Sequence, residues 1–212
     1  MSAALLLPHV NVALAHLGEP ALAALDEEGA RASRMNVHLA DNRLVAALQR
    51  RYLFGFCKAD VVPPLEPVEG IGRFKKRYRL PADCLQVRSV DGLDEDAWDV
   101  QTVTVNPERP DDIPAGRVLA CNIDTPLVAY VRLVTNPAAW DALFGDVFAL
   151  ELALRAAPSF GKSKADMDAL RAELDRAAAP ARRRSAQERA RSALPSSAVP
   201  FITARGPSRW RL

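Results

Sequence analysis

The stretch that decides the fold lies near the middle of the chain and reads Phe74-Lys75-Lys76-Arg77-Tyr78-Arg79-Leu80. Its apolar residues alternate with basic ones, which is the period of a half-buried β-strand and not that of a helix. We therefore expect a strand whose outer row of side chains is basic and consists of Lys75, Arg77 and Arg79, with Lys76 as the residue that breaks the pattern.

Other strand-like segments follow this one. Residues 85–90, 98–105 and 127–134 have apolar runs bounded by Pro, Asp and Gly, which are typical strand boundaries. The proline-rich stretch at residues 61–67 cannot continue a helix and therefore marks the start of this β-region. Together these segments predict one small antiparallel sheet of about four strands.

On both sides of the β-region the apolar residues recur at helical spacing. Before it, residues 8–17 predict a short helix that stops at Gly18, and residues 35–59 predict a longer one. After it, Asn136 and Pro137 have the residue types of a helix start. A further helix opens at Ser163, with Asp166 completing a capping box, and Pro180 predicts a kink or an end.

The predicted fold class is thus α+β, mainly α. We expect a helical bundle built from N- and C-terminal segments, an inserted small antiparallel β-region and an extended C-terminal tail. The predicted boundaries are a first helical segment at 1–62, the β-region at 63–134, a second helical segment at 135–191 and the tail at 192–212.

Charge is unevenly distributed along the 212 residues, although the net charge is only +2. Residues 1–160 carry a net charge of −5, whereas residues 161–212 carry +7. Such a chain is dipolar, which is typical of a protein with an interaction tail or with a stacking surface. The near-neutral total argues against a bulk nucleic-acid coat protein, and no apolar run is long enough to predict a membrane partner.

No catalytic centre, metal site or cofactor is predicted. Residues 156–163 resemble a phosphate-binding loop ending in Lys162-Ser163, but a helical pattern precedes them where such loops need a strand, so we interpret them as a turn between helices. The three cysteines are far apart and form no metal-binding spacing, which favours reduced, partly buried thiols. The histidines and the acidic residues match no metal motif, and we do not expect an enzyme.

The charged segments are better candidates for binding sites than the phosphate-loop-like segment, the cysteines or the histidines. We expect a basic contact patch made of Lys75, Arg77, Arg79, Arg182, Arg183 and Arg184. Arginines of this kind bind phosphates, and so an alternative function is a DNA-binding packaging or regulatory accessory that uses the arginine-rich C-terminal segment. The tail carries apolar side chains among its serines and prolines, which is typical of a segment that becomes ordered on a partner.

Four segments in order resemble the tail tubular protein A-like head-to-tail adaptors of tailed bacteriophages. They are residues 12–20 followed by Leu25-Asp26-Glu27; Tyr78-Arg79-Leu80-Pro81-Ala82-Asp83-Cys84-Leu85; residues 128–137; and Trp140-Asp141-Ala142-Leu143-Phe144 with Leu150-Glu151-Leu152-Ala153. The chain departs from the family pattern where it reads Arg51-Tyr52-Leu53-Phe54-Gly55-Phe56, near which the family usually has a tryptophan.

This resemblance implies a structural virion protein at the head–tail junction, made in the host cytoplasm. It implies a homo-oligomeric ring, commonly a dodecamer, that sits below the portal protein and surrounds packaged DNA. The next tail component (a stopper, nozzle or tail-tube protein) docks on it. We expect Phe201, Ile202, Arg205 and Trp210 to bind the portal, and Asp94, Glu95, Asp96, Asp111 and Asp112 to face the channel or the next ring.

Overall fold

The chain forms a mixed α/β structure, known from a computed structural model that describes residues 3–66, 72–103 and 116–192, without the side chains of residues 182 and 184–192. The helices are α1 (Ala3–His16), α2 (Ala30–Leu39), α3 (Arg43–Arg51), α4 (Ala142–Ala156) and α5 (Lys164–Ser192). The strands are β1 (Lys58–Val61), β2 (Lys76–Arg79), β3 (Cys84–Val90), β4 (Asp99–Val103), β5 (Gly116–Cys121) and β6 (Val128–Arg132).

The strands form two antiparallel sheets of three strands each, and the prediction of a single sheet is therefore wrong. Sheet A has the order β1-β6-β3, and sheet B has the order β2-β5-β4. The strands predicted at residues 74–80, 85–90, 98–105 and 127–134 are confirmed as β2, β3, β4 and β6. The sequence did not predict two strands: β1, an edge strand of sheet A, and β5, the central strand that joins β2 to β4 in sheet B.

Sheet A is covered on both faces, which gives the molecule three layers. Leu85 and Val131 of this sheet belong to the hydrophobic core of the helical part. Val87 and Tyr130, on the other face, belong to a second core that includes Leu119 of sheet B. Helices, sheet A and sheet B therefore lie in that order, and the helical core is the larger of the two.

Helices from both sides of the β-region meet around α4. This helix packs against α1, α2, α3 and α5, and its core residues Phe144, Val147, Phe148 and Leu152 are fully buried. At the end of α1, the stop predicted at Gly18 is confirmed. Gly18 has a left-handed φ of 65°, and the Glu19 N–H donates to the Leu14 carbonyl at 2.9 Å, which is the hydrogen bond of a Schellman C-cap.

The single helix predicted over residues 35–59 is wrong, because the chain turns twice within it. Asp41 and Asn42 have φ values of 58° and 56°, and this left-handed pair separates α2 from α3. Tyr52 is extended and ends α3, after which β1 begins at Lys58. The β-region of the structure therefore starts earlier than the predicted boundary at residue 63.

The helix predicted from Ser163 is confirmed together with its capping box. The Ser163 hydroxyl accepts from the Asp166 N–H at 3.2 Å, and the Asp166 carboxylate accepts from the Ser163 N–H at 2.9 Å. Pro180 does not end the helix, since α5 continues to Ser192. The extended tail predicted from residue 192 lies outside the described residues from residue 193 onward.

Candidate functional site

The segment that resembles a phosphate-binding loop is a turn between α4 and α5, as predicted. Gly161 is left-handed with a φ of 68°, and the Lys162 N–H donates to the Ala157 carbonyl at 3.1 Å. The Lys162 ammonium pairs with Glu19 at 3.5 Å, so it points back to the end of α1. Helix α4 occupies the place where a phosphate-binding loop has a strand, and this geometry does not form a phosphate cradle.

Among the described residues there is also no metal site and no reactive cysteine. No cluster of His, Cys, Asp and Glu in residues 3–66, 72–103 and 116–192 has the geometry of a metal site. All three cysteines are free and buried. Burial raises the pKa of the Cys57 thiol to about 11, and it also raises the pKa values of Cys84 and Cys121. These thiols are therefore protonated at neutral pH and are poor nucleophiles.

The basic strand does not present the predicted outer row of exposed charges. Lys75 is exposed, but Arg77 is only 7% exposed, and its Nε finds no hydrogen-bond partner among the described residues. Arg79 forms an ion pair with Glu66. The residue that broke the pattern, Lys76, pairs with Asp124. Because one member is buried and another is neutralised, this strand contributes less positive surface than the sequence predicts.

The other predicted site residues are only partly described. Arg183 is exposed on α5, whereas the side chains of Arg182 and Arg184 lie outside the described residues. Asp94, Glu95 and Asp96 are exposed in the connection between β3 and β4, which crosses from sheet A to sheet B. The remaining members of both sets, Asp111, Asp112, Phe201, Ile202, Arg205 and Trp210, lie outside the described residues.

A cleft that the sequence did not predict lies where the helical part meets the β-region, and we call it the arginine cleft. Its volume is about 380 Å³. The residues that line it come from the end of α3, from β3 and from the connection after β3, and they are Arg50, Arg51, Leu53, Gln86, Val87, Arg88, Glu95 and Trp98. Among the described residues, the lining therefore contains three arginines and one acidic residue, an excess of positive charge that suits an anion.

The fold holds the two walls of this cleft together. Gln49, the residue before Arg50, is fully buried and makes two hydrogen bonds with the backbone of Val134 just after β6. Its amide donates to the Val134 carbonyl at 2.9 Å and accepts from the Val134 N–H at 3.0 Å. Since β6 is paired with β3, this contact fixes the end of α3 relative to the strand that carries Arg88.

The arginines themselves are placed at the rim. Arg50 and Arg51 are exposed in the last turn of α3, where positive charge is favoured by the helix dipole. Within the part of the chain that the structure describes, neither residue forms an ion pair with a carboxylate. The Arg51 guanidinium lies 5.4 Å from the centroid of the Tyr52 ring. These two charges are therefore available to a ligand or partner.

The chain is not matched by any protein-family model, and it is not matched by any curated protein. Among the described residues, no helix combines the length and the apolar character that crossing a bilayer requires.

Proposed function

We propose that this protein is a head-to-tail adaptor of a tailed bacteriophage, a structural virion protein that forms a ring below the portal. In this function it extends the DNA channel and provides the docking surface for the next tail component. The proposal begins from the four ordered segments that resemble tail tubular protein A-like adaptors. It requires no catalytic residue, because a ring subunit acts through its surfaces.

The observation that carries the proposal is the core shared by the two helical segments. Leu14 and Leu48 precede the β-region in sequence and Phe148 follows it, yet all three lie in one hydrophobic cluster. The β-region is therefore an insertion into a helical body. This is the arrangement expected of an adaptor whose helical part forms the ring and whose inserted sheets project from it.

The outer side of α1 gives further support. Leu5 and Val12 are 45% and 43% exposed, although the opposite side of the same helix is buried. On α2, Val37 is 73% exposed. Exposed apolar residues on the surface of helices are suited to contacts between subunits. In a ring these contacts join unlike faces of neighbouring copies, so each copy offers two different surfaces.

In this proposal the basic C-terminal segment and the acidic connection after β3 have different partners. The C-terminal segment, with Phe201, Ile202, Arg205 and Trp210, binds grooves of the portal protein. The acidic connection after β3, with Asp94, Glu95 and Asp96, faces the DNA channel or the next ring. A negative channel wall would let packaged DNA slide, because phosphates are not attracted to it.

Deletion of residues 192–212 tests the proposal. We expect a protein that folds normally, with unchanged circular dichroism and a melting temperature within a few degrees of the full chain, because the helical core lies outside the deletion. Mixed with the phage's own portal, the full chain should add a ring that electron microscopy detects, and the deleted form should not.

A full-length variant with serine at Phe201, Ile202 and Trp210 serves as the matched control for chain length, and it too should fail to bind the portal. Normal rings from either variant would contradict the role of the tail. If the full chain forms no ring on the portal, the adaptor function is wrong. A salt-dependent shift of duplex DNA by the monomer would then favour the accessory function.

A further inference from the structure

We propose that the arginine cleft binds a single strand of nucleic acid, with Arg50 and Arg51 on its phosphates and Trp98 against a base. The proposal does not depend on the adaptor function, because it follows from the side chains that the fold brings to this one place.

The phosphate part of the site rests on the geometry of the guanidinium groups. Arg50 and Arg51 are consecutive on the last turn of a helix, and they therefore project in directions about 100° apart. Arg88, on β3, lines the same cleft. A guanidinium binds a phosphate through two parallel N–H donors, so Arg50 and Arg51 can each hold one phosphate of a strand that enters the cleft.

The base part of the site rests on Trp98. This side chain is half-buried, and one part of it packs against the core between the two sheets. Another part lines the cleft beside the arginines. Unpaired bases stack on aromatic side chains, and a base inside a duplex is not available for such stacking.

The remaining polar residues distinguish this ligand from an acidic polypeptide. Glu95 lines the same cleft, and it would repel the anionic groups of either ligand, phosphates as well as carboxylates. A nucleobase instead presents amino groups that a carboxylate accepts, and Gln86 offers an amide to the other atoms of a base edge. A cleft that combines arginines, a tryptophan, one carboxylate and one amide therefore fits a nucleotide strand better than it fits a protein.

The volume of the cleft agrees with this ligand. About 380 Å³ lies at the lower end of the range of pockets that enclose small organic ligands, and it suits one nucleotide unit with the neighbouring phosphates outside. The buried Gln49 contact keeps the two walls of the cleft in place before any ligand arrives. Preorganisation of this kind reduces the entropy that binding costs.

The test uses the full-length protein and a labelled single-stranded DNA of about 20 nucleotides, followed by fluorescence anisotropy. The variant is Arg50→Gln together with Arg51→Gln. The matched control is Arg43→Gln with Arg171→Gln, which removes the same charge from two exposed arginines that do not line the cleft. Circular dichroism and melting temperature establish that all forms are folded.

We expect the cleft variant to bind about tenfold more weakly, and the control to change by less than about twofold. The slope of log K against log salt should become shallower by about 1.4 in the cleft variant, since each lost phosphate contact on a single strand contributes about 0.7. Trp98→Leu should also weaken binding by about tenfold, whereas Trp98→Phe, which keeps an aromatic ring, should bind nearly as well as the natural chain.

Several outcomes would overturn this assignment. Equal losses in the cleft variant and in the control would show that only net charge matters. Equal affinity for a duplex of the same sequence would exclude base stacking. Displacement of the strand by polyglutamate as effectively as by unlabelled DNA would identify an acidic protein as the ligand. The phosphates are common to DNA and RNA. The same measurement is therefore repeated with single-stranded RNA, and the tighter of the two affinities identifies the strand that the cleft prefers.

Discussion

His9 is a residue whose packing affects its protonation. Its imidazole is half-buried against the helical core, with its centroid 5.4 Å from that of the Trp140 indole and 6.3 Å from that of the Phe148 ring. Burial lowers the pKa of His9, and the nearby carboxylate of Asp146 opposes this shift only in part. Burial also lowers the pKa of His38, and the charge of Arg155 acts in the same direction.

These shifts predict that the protein loses stability in mild acid. At pH values well above about 6.5 both histidines are neutral in the folded and in the unfolded chain, so they contribute no pH dependence there. Below that pH the unfolded chain takes up the protons first, and the free energy of unfolding falls until the folded-state pKa values are passed. Urea unfolding between about pH 8 and pH 5 measures this loss.

The variant His9→Phe isolates one of the two contributions. It keeps an aromatic ring beside Trp140 and leaves His38 unchanged, so the free energy of unfolding should fall less steeply with pH than it does in the natural chain. Identical slopes for the two proteins would contradict the assignment of this effect to His9.

Among the elements, the contact between α1 and α4 depends on the absence of a side chain at Gly145. A Cβ atom placed there would lie 2.7 Å from Cε1 and 3.0 Å from Nδ1 of His9. We therefore expect Gly145→Ala to lower the free energy of unfolding by about 1–3 kcal/mol, because the imidazole or the helix must shift. Denaturation by urea gives the value.

A double-variant cycle separates this clash from the ordinary effect of alanine in a helix. In a His9→Ala background the clash is absent, and Gly145→Ala should instead stabilise α4 by about 1 kcal/mol through its better helix propensity. Gly55→Ala is the control, since nothing lies within 4 Å of a Cβ at that position, and it should change stability by less than about 0.5 kcal/mol. The same loss in both backgrounds would exclude the clash.

The helices and strands also show which features of the fold can be predicted from the sequence. Strands β2, β3, β4 and β6 and the capping box at Ser163 were predictable because their signals are local. Strand β5 was not, since residues 118–121 are all buried and so lack the alternation that marks a half-exposed strand. The left-handed pair Asp41 and Asn42 lies inside a continuous helical pattern, and the apolar spacing around it carries no sign of the turn.

The arginine cleft could not be predicted for a different reason. Arg51 belongs to a helix of the first segment, whereas Arg88 and Trp98 follow at distant positions in the sequence. They are brought to one place by the pairing of β3 with β6, by the packing of α3 against both strands, and by the contact of Gln49 with Val134 just after β6. Long-range contacts of this kind leave no pattern along the chain.

For the whole molecule, Gln49 is the polar link between the helical layer and sheet A. In Gln49→Leu the side-chain volume is similar, but the Val134 N–H is left buried without its partner. The Val134 carbonyl keeps a hydrogen bond from the Trp140 indole N–H at 3.0 Å. We expect a loss of about 1–3 kcal/mol in the free energy of unfolding, which is the cost of one unsatisfied buried donor.

Gln101→Leu on β4 is the matched control for this prediction. Gln101 is half-exposed and has no side-chain hydrogen bond to any described residue, so its replacement should change stability by less than about 0.5 kcal/mol. Urea midpoints compare the two variants. Equal midpoints would mean that the layers are held together by apolar packing alone.

The burial of every cysteine makes the chain convenient for site-specific labelling. Thiol reagents such as maleimides need an accessible thiolate, and Cys57, Cys84 and Cys121 are buried and have raised pKa values. A single cysteine introduced at an exposed position, for example by Ser89→Cys on β3, would therefore carry a fluorophore with little background reaction. Distances between subunits, or between protein and ligand, then become measurable by energy transfer without first removing the native thiols.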